Sequence, residues 1–110
     1  MENSGLTEDE ILSIQQVFSN YPAIENALLY GSRAVGNFHP ASDIDITLMG
    51  NDIDLTLLNQ IEFDLDDLML PYKFDISIYH KISNQNLINH IDAVGKQVYN
   101  KKNFSQVINL

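Results

Sequence analysis

Two aspartates that follow closely on a Gly-Ser pair are the residues of this chain most able to do chemistry. Gly31 and Ser32 end an apolar run, and after ten further residues Asp43 and Asp45 alternate with isoleucine. Successive side chains of a strand point to opposite faces, so these two carboxylates share one face. Adjacent carboxylates repel each other unless a cation lies between them. The pattern therefore predicts a site for a hard divalent cation such as Mg²⁺, which prefers oxygen ligands.

A third aspartate lies in a similar pattern thirty residues further on. Asp75 alternates with apolar neighbours in the segment 73–79. If the two strands are neighbours, three carboxylates converge, and such a set can hold two metal ions about 3.5–4 Å apart for in-line displacement at phosphorus. The turn at Gly31 and Ser32 can offer backbone N–H groups and a hydroxyl to phosphates. Together these features indicate phosphoryl or nucleotidyl transfer.

At these residues the chain resembles the DNA polymerase β-like nucleotidyltransferase superfamily. Within it, the chain is similar to the minimal nucleotidyltransferases, the MNT or MntA-like proteins often encoded beside a HEPN-domain toxin. The family pattern is Gly-Ser, ten residues, Asp-x-Asp and a later strand with a third Asp; the runs GSRAVG and SDIDI are also close to its consensus. The resemblance covers about residues 11–102. It implies a single minimal nucleotidyltransferase domain over residues 1–110.

The resemblance implies a metal role for each aspartate. Asp43 and Asp45 would be catalytic and would ligate two Mg²⁺ ions, for which Mn²⁺ can substitute. Asp75 would complete the second metal site and could accept the proton of the attacking hydroxyl. Because cations lower the pKa of a carboxyl, Asp75 would be a weak base, so direct activation of the hydroxyl by the metal can matter more.

The resemblance also implies ATP as the co-substrate. Gly31 would let the backbone approach the phosphates closely, and Ser32 would donate to the β- or γ-phosphate. Arg33 would bind the triphosphate or the pyrophosphate, since a planar fork of donors suits phosphate oxygens. A structural salt bridge is the alternative for Arg33. Lys73 could contact phosphate or balance a carboxylate.

Four further polar residues receive weaker predictions. Ser42 is expected to fix the loop before the Asp-x-Asp strand through a hydrogen bond rather than to touch substrate. His39, in that loop, is expected to be exposed to solvent. His80 and His90 lie outside the motif and lack metal-ligand spacing, so we assign them no chemistry.

The composition narrows the class of partner. The chain has 15 acidic and 6 basic residues in 110, a formal charge of −9, and no cysteine. Binding along nucleic acid needs a basic stripe, so we expect no long DNA or RNA as a partner. No apolar run approaches the roughly 20 residues that span a membrane, and no signal peptide is visible. The absence of cysteine favours a reducing cytoplasm. The acidic surplus in 52–67 fits a solvated helix face or a surface for a basic partner.

Caps and periodicity predict the elements that position these residues. Thr7 and Glu10 form a capping box, and Asp54 and Asn84 are N-caps of two later helices. Pro71 should end the second of these three long helices, and Gly95 should cap the third. The alternating order predicts an α/β fold (α+β by some schemes), a small mixed β-sheet flanked by helices. The predicted strands are 24–30, 43–49 and 73–79, with a short fourth strand at 98–99, a short helix after 32 and no assignment for the tail from 103 to 110.

The acceptor is expected to come from another protein or a second subunit. About 30 residues follow the third strand, which is enough for a helix but not for a substrate domain. The resemblance implies transfer of AMP from ATP to a tyrosine of a HEPN toxin, an RNase, so that this chain acts as an antitoxin. Two alternatives stay open. One is a non-catalytic antitoxin that occludes its toxin, and the other is a nucleotidyltransferase that modifies a small molecule such as an aminoglycoside.

Overall fold

The structure, a computed structural model, describes residues 3–108, with side chains up to residue 104. One mixed sheet forms its centre, and helices pack on both faces. This is the predicted sheet flanked by helices. In chain order the elements are α1 (Glu8–Ser19), β1 (Asn26–Tyr30), α2 (Ser32–Val35), β2 (Ile44–Met49), α3 (Leu55–Asp66), β3 (Phe74–Ile78), a 3₁₀ turn (Tyr79–Lys81), α4 (Gln85–Val94), β4 (Lys96–Asn100) and α5 (Lys101–Ile108).

The strand order is β3-β2-β1-β4. Strands β2 and β3 run parallel, while β1 is antiparallel to both β2 and β4. The register pairs Asp45 with Asp75 on one side and with Tyr30 on the other. The predicted adjacency of the two aspartate strands is therefore confirmed.

The two faces of the sheet differ in chemistry because side chains alternate along each strand. One face is apolar and packs against α1 and α3. The other face carries Asp45, Thr47 and Asp75 next to Tyr30, and α4 packs against β1 there. The apolar face includes the fully buried side chains Ala27, Leu29, Ile44, Ile46 and Leu48 of the strands and Ile14, Phe18 and Ile61 of the helices.

The three predicted helix caps are all present. Thr7 Oγ1 accepts from the Glu10 amide at 3.1 Å, and Glu10 Oε1 accepts from the Thr7 amide at 2.9 Å. Asp54 accepts from the amide of Leu57, and Asn84 caps α4 in the same way. Each cap satisfies an amide that has no partner within its helix, which is worth about 1 kcal/mol.

One predicted helix end is wrong in position, and the other is correct in position but differs in conformation. Helix α3 ends at Asp66, five residues before Pro71, because its last amides bond three residues back and Met69 takes a positive φ of 57°. Gly95 follows α4 without the left-handed conformation expected of a capping glycine. Glycine fits at this position for a steric reason, because a Cβ there would lie only 2.5 Å from the carbonyl oxygen of Ile91.

The end of the chain is more regular than predicted. The short fourth strand is β4, five residues long and paired with β1. Most of the stretch for which no element is predicted belongs to α5, and residues 109 and 110 lie outside the described part. Over residues 3–108, no helix has both the length and the apolar character needed to cross a bilayer.

Candidate active site

The structure brings the three aspartates to one end of the polar face. Asp45 and Asp75 are direct neighbours across β2 and β3, and Asp43 immediately precedes β2. Burial, followed by the Asp75 and Asp43 carboxylates, raises the pKa of Asp45 above its ordinary value. Like charges close enough to shift each other's ionisation repel, so this cluster favours a cation.

The donor set suits a hard divalent ion, although the side chains are not arranged around one. All three groups offer carboxylate oxygens, the ligands that Mg²⁺ prefers. In the orientations found across residues 3–104, no three His, Cys, Asp or Glu side chains form a ready metal site. Asp75 is exposed on edge strand β3 and is free to change rotamer. The residues therefore fit a metal by chemistry and by register.

Gly31 packs directly against the Asp45 carboxylate. Its φ of 73° and ψ of −155° belong to a region that only glycine occupies readily. A Cβ at this position would overlap Asp45 Oδ2 and lie 3.2 Å from Asp45 Cγ. The carbonyl of Gly31 accepts from the amides of Ala34 and Val35, which starts α2. The two halves of the predicted motif thus meet at this contact.

Ser32 is the first residue of α2, directly after that contact. The helix is only four residues long and ends at Gly36, whose φ is 90°. The Ser32 side chain is partly exposed, and its carbonyl accepts from the amides of Gly36 and Asn37. Ser32 therefore directly follows the glycine that packs against Asp45, and its side chain is partly accessible.

Arg33 is not at the site, and its predicted contact with the triphosphate is corrected. The side chain is only 1% exposed. Its guanidinium donates to the carbonyl oxygens of Ser4, Pro40 and Ser42 at 2.9–3.2 Å. It also lies 5.0 Å from the ring centroid of Phe38 and 4.8 Å from that of Tyr72. Arg33 therefore ties three segments together through carbonyls and rings rather than through the alternative salt bridge.

The loop before β2 behaves as predicted. Ser42 Oγ accepts from the amide of His39 at 2.7 Å, which closes the loop on itself. The Ser42 carbonyl accepts two of the Arg33 bonds. His39 is exposed. The loop hydrogen bond predicted for Ser42 and the exposure predicted for His39 are therefore confirmed, and the bonds of Ser42 with His39 and Arg33 hold the loop that leads to Asp43.

A groove opens beside the carboxylates at the edge of β3. Its volume is about 310 Å³. Lys73 lies in it, so the structure keeps both predicted roles of this lysine available. Glu62 of α3 also reaches the groove and was not predicted, because nothing in its helix pattern indicates which residues oppose it across the fold. The groove is lined by Asp43, Glu62, Lys73, Phe74, Asp75 and Ile76.

His90 is the main residue that the sequence prediction missed. The Gly31 amide donates to His90 Nε2 at 3.1 Å, across 59 residues of sequence. The His90 ring also meets the Tyr30 ring edge-on, with centroids 6.1 Å apart. A weak signal existed, since His90 lies three residues after Leu87 and four before Val94, on the apolar side of its helix. That spacing indicates a partly buried histidine but does not name its partner.

Tyr30 is the second residue that was missed. It is 6% exposed and pairs with Asp45 across β1 and β2. Burial is the main reason that the pKa of Tyr30 is raised; the Ser77 hydroxyl opposes it, and the Asp75 and Asp45 carboxylates each add a smaller upward effect. A neutral tyrosine therefore forms one wall of the carboxylate cluster. Its position in an apolar run gave no sign of this.

Comparisons with known proteins identify the family of the chain and relatives of its fold. The family model described as polymerase beta, nucleotidyltransferase, matches residues 13–104. A crystal structure of a toxin–antitoxin with AMP-PNP is 22% identical, with a TM-score of 0.67 over 93% of this chain and 80% of that one.

Two further solved structures have the same fold. One is a tri-AMPylated Shewanella oneidensis HEPN toxin in complex with MNT antitoxin, at 17% identity and a TM-score of 0.59, covering 89% of this chain and 78% of that one. The other is a putative nucleotidyltransferase from Sulfolobus solfataricus, at 14% identity and a TM-score of 0.52, covering 84% and 78%. No curated protein matches the sequence significantly.

Proposed function

The chain belongs to the polymerase beta nucleotidyltransferase family, whose model spans most of it, and on this premise we propose that it transfers AMP from ATP to a hydroxyl of a partner protein. In this reaction the hydroxyl oxygen forms a bond to the α-phosphorus of ATP. The bond between that phosphorus and the oxygen leading to the β-phosphate breaks, and pyrophosphate leaves. The proton of the hydroxyl passes to a carboxylate or to water.

One observation carries the proposal, namely the packing of Gly31 against Asp45. The contact joins the Gly-Ser turn to the Asp-x-Asp strand, and the parallel register adds Asp75 from the next strand. A phosphate group held at Ser32 would then lie close to the carboxylates. Positioning of this kind is the main contribution that a protein makes to phosphoryl-group chemistry.

Asp43, Asp45 and Asp75 would hold Mg²⁺, with two ions in the full site. When bound, the ions neutralise phosphate charge and lower the pKa of the attacking hydroxyl. The raised pKa of Asp45 supports this assignment, because burial and then the Asp75 and Asp43 carboxylates disfavour its ionised form, and a cation would offset both effects. Asp75 is the most exposed of the register pair and is the best placed to take up the proton.

A HEPN toxin is the partner that the structural relatives support best. One relative was solved with AMP-PNP, and another contains a tri-AMPylated HEPN toxin with its MNT antitoxin. We therefore propose a tyrosine of a HEPN toxin as acceptor, ATP as donor, the cytoplasm as compartment and the role of antitoxin for this chain. Because these relatives are complexes, occlusion of the toxin without chemistry is the second candidate.

Labelled ATP tests the reaction class. The protein is incubated with Mg²⁺, a co-expressed HEPN protein and ATP carrying ³²P at either the α- or the γ-position. Nucleotidyl transfer puts the α-label on the HEPN protein and leaves the γ-label in pyrophosphate. Transfer of the γ-label would indicate a kinase-type reaction instead, and no label from either ATP would favour occlusion. Asp66→Asn, an exposed change on α3, is the matched control for Asp75→Asn.

A further inference from the structure

The amide of Gly31 is held by a side chain from a distant part of the chain. It donates to His90 Nε2 at 3.1 Å. An amide N–H can only donate, so Nε2 must accept, and the imidazole is neutral with its proton on Nδ1. His90 therefore takes part in the geometry of the turn in one defined tautomer.

Gly31 needs such a restraint because glycine is the most flexible residue. Its conformation, φ 73° and ψ −155°, is one of many that glycine reaches at little steric cost. On one side its carbonyl is fixed by the amides of Ala34 and Val35. On the other side its amide is fixed by His90. The two restraints together set the direction in which the chain enters α2 at Ser32.

His90 is itself held in place. Its neighbour Ile91 is 1% exposed and anchors α4 against the sheet. The ring of His90 meets that of Tyr30 at an interplanar angle of 78°, an edge-to-face arrangement that aromatic pairs favour. Tyr30 directly precedes Gly31, so one imidazole contacts two successive residues of the turn.

We propose that His90 is a positioning residue that acts through Gly31. By accepting a hydrogen bond from the Gly31 amide, His90 keeps the turn against Asp45 and presents Ser32 to the phosphates of the nucleotide. This inference rests on the proposed function, since it concerns the same site. The opposite possibility is that His90 occupies an amide that would otherwise bind phosphate, and removal of His90 would then tighten nucleotide binding.

Binding of α,β-methylene-ATP with Mg²⁺, measured by calorimetry, separates these possibilities. His90→Leu keeps the size of the side chain but has no acceptor, and we expect about tenfold weaker binding. His90→Gln can place an amide oxygen near the position of Nε2, and we expect it to stay within about threefold of wild type. His80→Gln, at an exposed histidine outside the site, is the control and should bind as wild type does.

A measurement on the bond itself does not depend on nucleotide. In ¹⁵N-labelled wild-type protein near neutral pH, the Gly31 nitrogen and His90 Nε2 should show a scalar coupling across the hydrogen bond. Absence of that coupling overturns the inference, as does equal or tighter binding by His90→Leu. If wild type itself binds no nucleotide, the proposed function fails and the positioning role fails with it, whereas wild-type binding with no effect of His90→Leu removes only the positioning role.

Discussion

The backbone of Gly31 and the carboxylate of Asp45 occupy adjoining space, with no room between them for a single methyl group. Gly31 directly follows β1 and Asp45 lies in β2, so they come from the two halves of the Gly-Ser and Asp-x-Asp motif. The contact explains why the first position of the motif is glycine for two independent reasons. The positive φ excludes most side chains, and the carboxylate excludes all of them.

Gly31→Ala should therefore abolish activity, and Gly36→Ala should not. Both glycines have positive φ, but a Cβ at Gly36 meets nothing within 4 Å. We expect Gly36→Ala to lower the free energy of unfolding by about 1 kcal/mol, the cost of left-handed backbone, and to keep its activity. Gly31→Ala should lower the rate of AMP transfer by at least about a hundredfold, because the new Cβ displaces the Asp45 carboxylate from the turn and the reacting groups are no longer aligned. Similar activity in the two variants would show that the Asp45 contact is unimportant.

Arg33→Lys should damage stability rather than nucleotide binding. Lysine lacks the fork that donates to the carbonyls of Pro40 and Ser42 and would leave partly buried oxygens without these donors. We expect a loss of about 2 kcal/mol in urea unfolding. The affinity of the folded variant for Mg²⁺ and α,β-methylene-ATP should equal that of the wild-type protein. Unchanged stability with a large loss of affinity would show that Arg33 binds the phosphates of the nucleotide after all. Lys81→Arg, at an exposed site, is the control.

Asp45→Asn should stabilise the metal-free protein near neutral pH. The pKa of Asp45 is raised in the folded state, so as pH rises the unfolded chain ionises first, near the ordinary value of 3.8, and wild-type stability falls until the folded state ionises too. Asparagine does not ionise, so the variant does not lose stability in this way as the pH rises. In EDTA at pH 7 we expect a melting temperature roughly 1–3 °C above wild type, with the advantage gone at pH 3.

The exposed Asp66→Asn is the control for this experiment and should change little at either pH. Adding Asp43→Asn to Asp45→Asn should also leave a cooperative unfolding transition. Its loss would mean that these aspartates hold the fold together rather than bind a metal.

The part of the site that could be predicted depends on local pattern. Alternation of apolar and polar residues is readable in any single strand, and it predicted that the carboxylates of Asp43, Asp45 and Asp75 converge if their two strands are neighbours. The helix caps at Thr7, Asp54 and Asn84 depend on residues two or three positions apart. These features all appear in the structure as expected.

The parts that could not be predicted depend on partners far away in the sequence. The bond from Gly31 to His90 spans 59 residues, and nothing near either residue indicates it. Burial of Arg33 requires carbonyls from the N-terminal segment and from the loop before β2, a ring from that same loop, and the ring of Tyr72 from a third segment. From sequence alone, an arginine beside a phosphate-binding motif is a reasonable candidate to bind phosphate. Only the folded structure shows the carbonyls and rings that bury it instead. Tertiary packing, not local preference, decided both cases.

Nucleotide binding should require a divalent metal. Bringing a triphosphate beside three carboxylates without cations is repulsive. Calorimetry of α,β-methylene-ATP should show binding with Mg²⁺ or Mn²⁺ and at least about tenfold weaker binding in EDTA. Equal affinity in both conditions would remove the metal assignment of Asp43, Asp45 and Asp75.

Intact-mass spectrometry of the HEPN partner tests the central claim most directly. After incubation with wild-type protein, ATP and Mg²⁺, the partner should gain about 329 Da for each AMP, since pyrophosphate departs. It should stay inactive once separated from this chain. Asp75→Ala should add no mass, because a metal ligand is lost, while the Asp66→Asn control should add as much as wild type. A partner that gains no mass from wild type and recovers its RNase activity after separation would contradict nucleotidyl transfer and leave occlusion as the mechanism.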